Sequence, residues 1–208
     1  MADRYALVVD STNNNIKEIP AADRLVADNL LLSGTTPTLT IGDAGAEDTK
    51  IVFDGNAQDF HIGLDDSADD LVIGLGSAVG TTPAIHIDEN QVVKFDAGIQ
   101  EEATALTSGT TVALDLNLGT VFTLTLAHNL GTFNWTNPAA SGYASSFVLK
   151  VKQDGTGSRT ISWPAAVDWA AATAPTISTG ANAVDVFAFF TVDGGTIWYG
   201  FTPGIGMA

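Results

Sequence analysis

The strongest fold signal in the chain is one stretch with the pattern of a hairpin, Phe189-Phe190-Thr191-Val192-Asp193-Gly194-Gly195-Thr196-Ile197-Trp198-Tyr199. Its two flanks are rich in aromatic and β-branched residues, which favour strands. Asp193-Gly194-Gly195 supplies turn residues, because glycine adopts positive φ readily and an aspartate side chain can hydrogen-bond to nearby backbone. The stretch therefore predicts two paired strands joined by a tight turn.

The same pattern of alternating apolar residues recurs through residues 103–208. In Val121–Ala127, for example, Phe122, Leu124 and Leu126 share one face, which is typical of a half-buried strand. Predicted strands cover Thr111–Asn117, Val121–Ala127, Ser146–Lys152, Arg159–Trp163, Val184–Val192 and Thr196–Phe201. Strands at this spacing, separated by glycine turns such as Asp154-Gly155-Thr156-Gly157, predict an antiparallel, jelly-roll-like β-sandwich.

The preceding residues, 35–102, show much shorter apolar runs separated by aspartate and glycine. These runs are Ile51–Phe53, Phe60–Leu64, Leu71–Ile73, Ala84–Ile87 and Val92–Phe95. Strands this short do not readily enclose a core within one chain. We therefore predict an acidic, short-strand β region that is interwoven between chains, which makes the whole protein all-β.

Charge separates these two parts of the 208-residue chain. Residues 1–102 hold 19 acidic against 5 basic side chains, whereas residues 103–208 hold 5 against 3 and contain every tryptophan. The net charge of −16 opposes binding to nucleic acid or to an anionic membrane, because phosphate contacts need lysine and arginine. Only 15% of residues are charged, so we expect part of the surface to be hidden by self-association.

The sequence contains no cysteine, which rules out disulfides, thiolate metal sites and a cysteine nucleophile. Neither a signal-peptide-like apolar segment near Met1 nor an apolar run long enough to span a membrane is apparent. The segment Pro20–Ser33 fits a weak helical stripe and also a strand that ends at Gly34, and we favour a strand or an extended arm. The strand Tyr5–Val9 is apolar on both faces, so we expect it to dock on another subunit or protein.

Candidate chemical residues are few, and no catalytic, cofactor or metal site is predicted. His61 and His86 lie within predicted strands and are interpreted as surface or interface histidines. Asp65, Asp66, Asp69 and Asp70 form the densest carboxylate cluster. A solvated turn, a Ca²⁺ site and a catalytic pair all remain open for this cluster, although it lacks EF-hand spacing.

Adjacent aromatic residues near the end of the sequence raise a binding hypothesis. Trp198 and Tyr199 are neighbours on one predicted strand, so only one of them can face the core. The other faces either a neighbouring subunit or the solvent, where its ring could stack on a sugar. Both residues are therefore candidate surface-binding aromatics, with subunit packing as the alternative.

Three stretches resemble structural appendage proteins of tailed bacteriophages, especially phages of marine bacteria. They are Arg4–Asp10 followed by Asn14–Pro20, the segment Ile51–Leu71, and the segment Val186–Gly200. The resemblance implies a virion protein on the particle surface, made in the host cytoplasm. It also implies a homotrimer that associates with other capsid or tail proteins and displays its C-terminal domain, with host surface glycans as candidate ligands.

The change in composition near Gly98–Ser108 predicts a domain boundary, and the resemblance adds an N-terminal attachment segment. Residues 1–34 are then a virion-anchoring arm in which Arg4, Tyr5, Leu7 and Val9 make contacts, residues 35–102 are the short-strand region, and residues 103–208 are the sandwich. No long shaft repeat is present, so a capsid decoration or head-fibre protein remains an alternative to a tail fibre. A carbohydrate-binding module and a polysaccharide-degrading enzyme are the competing functions.

Overall fold

A computed structural model describes residues 7–10, 15–18 and 28–207. By its internal contacts the chain divides into two compact units, Met1–Ala97 and Gly98–Ala208. Apart from two short 3-10 turns, every regular element in these described ranges is a β-strand, which confirms the predicted all-β class. No helix in the described part of the chain is long and apolar enough to cross a membrane.

The first unit begins with a short antiparallel pair. Strand β1 (Leu7–Asp10) pairs with β2 (Asn15–Glu18), so that Leu7 lies opposite Glu18. Residues 28–33 of the predicted Pro20–Ser33 strand or arm form no regular structure, and residues 20–27 lie outside the described residues.

A five-stranded antiparallel sheet follows, with its strands in chain order. The strands are β3 (Thr49–Phe53), β4 (Phe60–Asp65), β5 (Asp70–Leu75), β6 (Pro83–Ile87) and β7 (Val93–Phe95). Each of the five short apolar runs of the sequence overlaps one of these strands, which confirms the predicted short strands, whereas interweaving between chains stays a prediction. Aspartates and glycines occupy the connections because they tolerate the conformations of tight turns.

One face of this sheet is almost entirely apolar, and we call it the apolar face. Its central row places Ile51, Ile62, Ile73, Ile85 and Phe95 opposite one another on successive strands. Flanking rows add Phe53, Phe60 and Leu75 on one side, and Thr49, Leu64, Leu71, Ile87 and Val93 on the other. All of these except Thr49 and Ile85 are exposed to solvent in the single chain.

The centre of the opposite face, on β4 and β5, is covered by residues 76–82, which connect β5 to β6. The Lys50 Nζ atom donates to the Ser77 carbonyl at 2.5 Å, and the Gly76 amide donates to the Asp59 carbonyl at 2.8 Å. Under this loop, His61 and Val72 are fully buried. Among the described residues, the main sheet of the first unit therefore has one face partly covered by its own loop and the other face open.

The second unit contains a six-stranded and a two-stranded sheet, compatible with a β-sandwich. Its strands are β8 (Thr104–Leu106), β9 (Thr111–Asp115), β10 (Val121–Leu126), β11 (Thr132–Thr136), β12 (Ser145–Gln153), β13 (Val167–Trp169), β14 (Val184–Thr191) and β15 (Trp198–Met207). The large sheet has the order β13-β15-β14-β12-β10-β8, and β9 pairs with β11. The 3-10 turns are η1 (Leu116–Leu118) and η2 (Ala170–Ala172).

The core of the second unit lies between these sheets and is rich in aromatic rings. As the alternation predicted, Phe122, Leu124 and Leu126 of β10 point inward. Trp135 of the small sheet packs edge-on against Phe147 at 4.9 Å between ring centroids. Such edge-to-face pairs stabilise a core beyond the area they bury.

Pairing in the second unit differs in two respects from the sequence prediction. Strand β10 runs parallel to both of its neighbours, β8 and β12, so the large sheet is mixed rather than purely antiparallel. The predicted strand Arg159–Trp163 was wrong and reduces to a single bridge between Ile161 and Leu130. Side chains accept from two of its backbone amides: Gln153 Oε1 from the Arg159 amide at 2.9 Å, and Asn129 Oδ1 from the Thr160 amide at 3.1 Å.

Candidate functional site

The β14–β15 hairpin presents three aromatic rings on its outer side, and we call Phe190, Tyr199 and Phe201 the aromatic ladder. Phe190 stacks on Tyr199 with ring centroids 5.0 Å apart and on Phe201 at 6.0 Å. The turn between the strands has positive φ at Gly194 and Gly195, as the glycine pair predicted. All three rings are exposed, because strand alternation turns their neighbours into the core.

The turn itself is fixed by carboxylate and hydroxyl groups. The Asp193 Oδ1 atom accepts a hydrogen bond from the Ile197 amide at 3.1 Å and another from the Thr191 hydroxyl at 2.8 Å. The bond from the Ile197 amide is the main reason that the pKa of Asp193 lies below its usual value. These contacts hold the hairpin, and so the aromatic ladder, in one geometry.

A groove of about 390 Å³ lies beside the ladder, between β13, η2 and β15. Strand β13 runs parallel to β15, which places Asp168 opposite Tyr199. Gly200 is required here, because a Cβ atom at that position would lie 2.8 Å from the ring of Trp169. Tyr199, Phe201 and the exposed Asp168 carboxylate therefore line one open groove.

These groups suit recognition of a polyhydroxylated ligand. Exposed aromatic faces pack against the C–H faces of a sugar ring, and a carboxylate accepts hydrogen bonds from hydroxyl groups. Among the described residues that line the groove, Asp168 is the one carboxylate. Glycoside hydrolysis ordinarily uses two carboxyl groups flanking the bond, so this groove is better suited to binding than to cleavage.

The structure separates the two aromatic residues singled out from the sequence. Trp198 is only 3% exposed and packs against Trp135 at 5.3 Å, so its assignment as a surface-binding aromatic was wrong. Tyr199 faces outward. Sequence reasoning missed Phe190 and Phe201, although alternation from Phe189 and Tyr199 places both on the outer face.

Comparison with known families bears directly on this second unit. Residues 104–196 match the family described as "Putative phage tail fibre C-terminal domain". No curated protein and no solved structure matches the chain. The match covers β8 to β14 and reaches the turn before β15. It supports a tail-fibre-like protein, a structural component of a bacteriophage virion.

The tail-fibre-like match includes part of the groove. Asp168 lies within the matched residues, whereas Tyr199 and Phe201 follow directly after them. A structural fibre domain is consistent with the expectation that the protein is not an enzyme.

The predicted anchoring residues belong to the first unit. Leu7 and Val9 lie on β1, opposite Glu18 and Ile16 respectively. Arg4 and Tyr5 lie outside the described residues. Virion anchoring by these four residues therefore stays a prediction.

Of the two strand histidines, His61 is not at the surface. It is fully buried, and its Nδ1 atom lies 2.9 Å from the Gly76 carbonyl oxygen. The interpretation as a surface or interface histidine was wrong, because residues 76–82 fold over this face of the sheet. The His61 Nε2 atom has no hydrogen-bond partner among the described residues.

His86 forms a carboxylate cluster that sequence reasoning did not find. Its Nδ1 atom lies 3.1 Å from Asp70 Oδ2, and its Nε2 atom lies 2.5 Å from Asp96 Oδ2. The hydrogen bond to Asp96 is the largest influence that raises the pKa of His86 above its ordinary value of 6.5, and Asp70 adds to it. Only the register of β5, β6 and β7 brings these three residues together.

The aspartate-rich segment Asp65–Asp70 forms the β4–β5 turn. Asp65 Oδ1 accepts from the Ser67 amide and hydroxyl at 3.1 Å and 2.7 Å, while the Asp66 amide donates to Asp48. These contacts support the solvated-turn interpretation. Within the described ranges, no group of three or more acidic, histidine or cysteine side chains is arranged to hold a metal ion.

Proposed function

We propose that the chain is the subunit of a homotrimeric tail fibre, attached to the virion by its N-terminal residues and displaying the second unit to the host surface. The observation that carries the proposal is the match of residues 104–196 to a tail fibre C-terminal domain. That match also favours the tail over the alternative position on the capsid lattice. The aromatic ladder and its groove supply a surface suited to host glycans.

Two features of this chain favour self-association. Charged residues are scarce, and the strands at both ends of the first unit's main sheet, β3 and β7, have no partner on their outer sides among the described residues. Free sheet edges favour association, and a cyclic trimer covers complementary surfaces on every copy. Sedimentation equilibrium should give a mass three times that of the 21.5 kDa chain. A monomer at micromolar concentration contradicts this part of the proposal.

Attachment through the N-terminus is tested by deleting residues 1–19, which removes the β1–β2 pair. The truncated protein should remain folded, because the sheet of the first unit and all of the second unit lie outside the deletion. It should fail to join particles when it replaces the full chain during infection. Incorporation at the normal level contradicts anchoring by this segment.

Host binding is tested at the aromatic ladder with a matched tyrosine control. Tyr199→Ala removes the central exposed ring of the groove, whereas Tyr143→Ala removes an exposed tyrosine from a turn elsewhere in the second unit. The purified wild-type protein should compete with phage for adsorption to host cells, and so should the Tyr143 variant. The Tyr199 variant should compete at least tenfold more weakly.

The opposite results at Tyr199 are equally informative. If the Tyr199→Ala variant competes as well as the wild type, the groove does not bind the host. If the variant instead loses its trimeric mass, the ladder packs between subunits, and the proposed glycan-binding role is wrong.

A further inference from the structure

The apolar face of the first unit is larger than a monomer ordinarily leaves open. Its eleven exposed side chains retain between 37% and 55% of their accessible area. With roughly 200 Å² for a large apolar side chain, they present on the order of 1,000 Å². The largest apolar patch of a typical monomer is about 300–600 Å², and a standard interface buries about 800 Å² per partner.

The charge pattern of the sheet indicates what kind of surface covers this face. None of the thirteen positions in its three rows is charged, although residues 1–102 carry a net charge of −14. The charged side chains of the sheet, such as Lys50, His86 and Lys94, alternate onto the opposite face. An occupant therefore needs no complementary charge, and the best match is another apolar sheet face.

The opposite face is less suited to this purpose, since residues 76–82 already cover its centre on β4 and β5 and its edges carry Lys50 and Lys94. The Val79 side chain lies over Gly63, and His61 is fully enclosed. A single sheet layer needs a second layer about 10 Å away to bury its apolar side chains. The apolar face is the side on which the described residues supply no such layer.

We infer that the apolar face packs against the same face of other copies of this chain, forming a hydrophobic core shared between subunits. This inference rests on the proposed self-association and names the surface that produces it. Sheets that meet in this way keep charged side chains out of the contact, so repulsion between the negatively charged copies acts over a longer distance and is screened by salt. The proposal explains why the first unit, with so little of its apolar surface buried, keeps a regular sheet.

Single cysteines provide a direct test, because the chain has no cysteine of its own. Ile73→Cys places a thiol at the centre of the apolar face, where Ile73 is 41% exposed in the single chain. Val52→Cys is the matched control, since Val52 is 37% exposed, lies on the same sheet and points to the opposite face. In the native full-length protein, maleimide should modify Ile73→Cys at least tenfold more slowly than Val52→Cys. The two rates should become equal in denaturing urea.

Charged substitutions on the two faces test the occupant. Ile62→Lys should reduce the assembled protein to monomers in sedimentation equilibrium, whereas Val52→Lys should leave the mass unchanged. Each variant lowers the net negative charge, so greater repulsion cannot explain a loss of assembly. Tryptophan fluorescence reports folding of the second unit independently, because all four tryptophans lie there.

The outcomes separate failure of this inference from failure of the trimer proposal. An oligomer in which Ile73→Cys reacts as fast as Val52→Cys leaves self-association standing and overturns the shared core. A protected thiol in a monomer means that the same chain covers the face, which also overturns it. If the Ile62→Lys variant remains an oligomer, the shared core is likewise overturned. A dimer with a protected thiol supports the shared core and contradicts the trimer.

Discussion

Two adjacent phenylalanines of β14 should differ sharply in what they contribute to stability. Phe189 is 2% exposed, stacks on Phe147 at 4.9 Å and meets Trp135 at 4.7 Å. Phe190 is 37% exposed, and its ring stacks on those of Tyr199 and Phe201 rather than on a core ring. We expect Phe189→Ala to lower the free energy of unfolding by about 3–5 kcal/mol, because it removes a buried ring and leaves a cavity. Phe190→Ala should cost about 1 kcal/mol or less.

Urea unfolding of the full chain, followed by tryptophan fluorescence, measures both losses in the second unit. Thermal unfolding gives a second measure. Since 1 kcal/mol shifts the melting temperature of a domain of about a hundred residues by roughly 4 °C, the Phe189→Ala variant should melt at least about 10 °C below the wild type. Equal losses for the two variants would refute the assignment of Phe189 to the core and Phe190 to the outer face.

Three further predictions follow from single contacts and from the division of the chain. His86→Gln should destabilise the first unit most below pH 6.5. The pKa of His86 is raised in the folded protein, so protonated His86 stabilises the fold at low pH. This contribution to stability is lost as the pH rises through the pKa of the folded state. Amide hydrogen exchange of β5 and β6 at pH 5.5 and pH 8.5 measures the difference, and equal effects at both pH values contradict it. Gly200→Ala should cost about 1–3 kcal/mol by forcing Trp169 to move, seen as a lower urea midpoint, whereas an unchanged midpoint argues against the close contact. Residues 103–208 expressed alone should give a cooperative melt by tryptophan fluorescence. Residues 1–102 alone should give no cooperative transition by circular dichroism at concentrations where they are monomeric, because no other copy then covers their apolar face; the reverse result overturns this folding hierarchy.

Residue alternation predicted much of the architecture, because inward and outward positions repeat every second residue. The inward face of β10 follows from it. The Asp193-Gly194-Gly195 turn was predicted separately, because glycine adopts positive φ readily. Alternation does not distinguish parallel from antiparallel neighbours, which is why the parallel pairing of β10 with β8 and β12 was not anticipated. Side-chain hydrogen bonds from Gln153 likewise replaced the ladder expected at Arg159–Trp163.

The candidate sites depended more heavily on tertiary contacts. Alternation required one of Trp198 and Tyr199 to face inward, but the packing of Trp198 against Trp135 determined which one. Burial of His61 depends on a loop that folds back across its strand, and the Asp70–His86–Asp96 cluster depends on strand register. Neither relation is visible in local sequence spacing.

Immunogold electron microscopy of intact phage tests most directly the claim that this chain is a tail-fibre subunit. Antibodies raised against residues 103–208 should label the distal parts of tail fibres, with a few to a few dozen copies of the protein in each virion by quantitative mass spectrometry. Label spread over the capsid, with hundreds of copies in each particle, would contradict the claim and identify a head decoration protein instead.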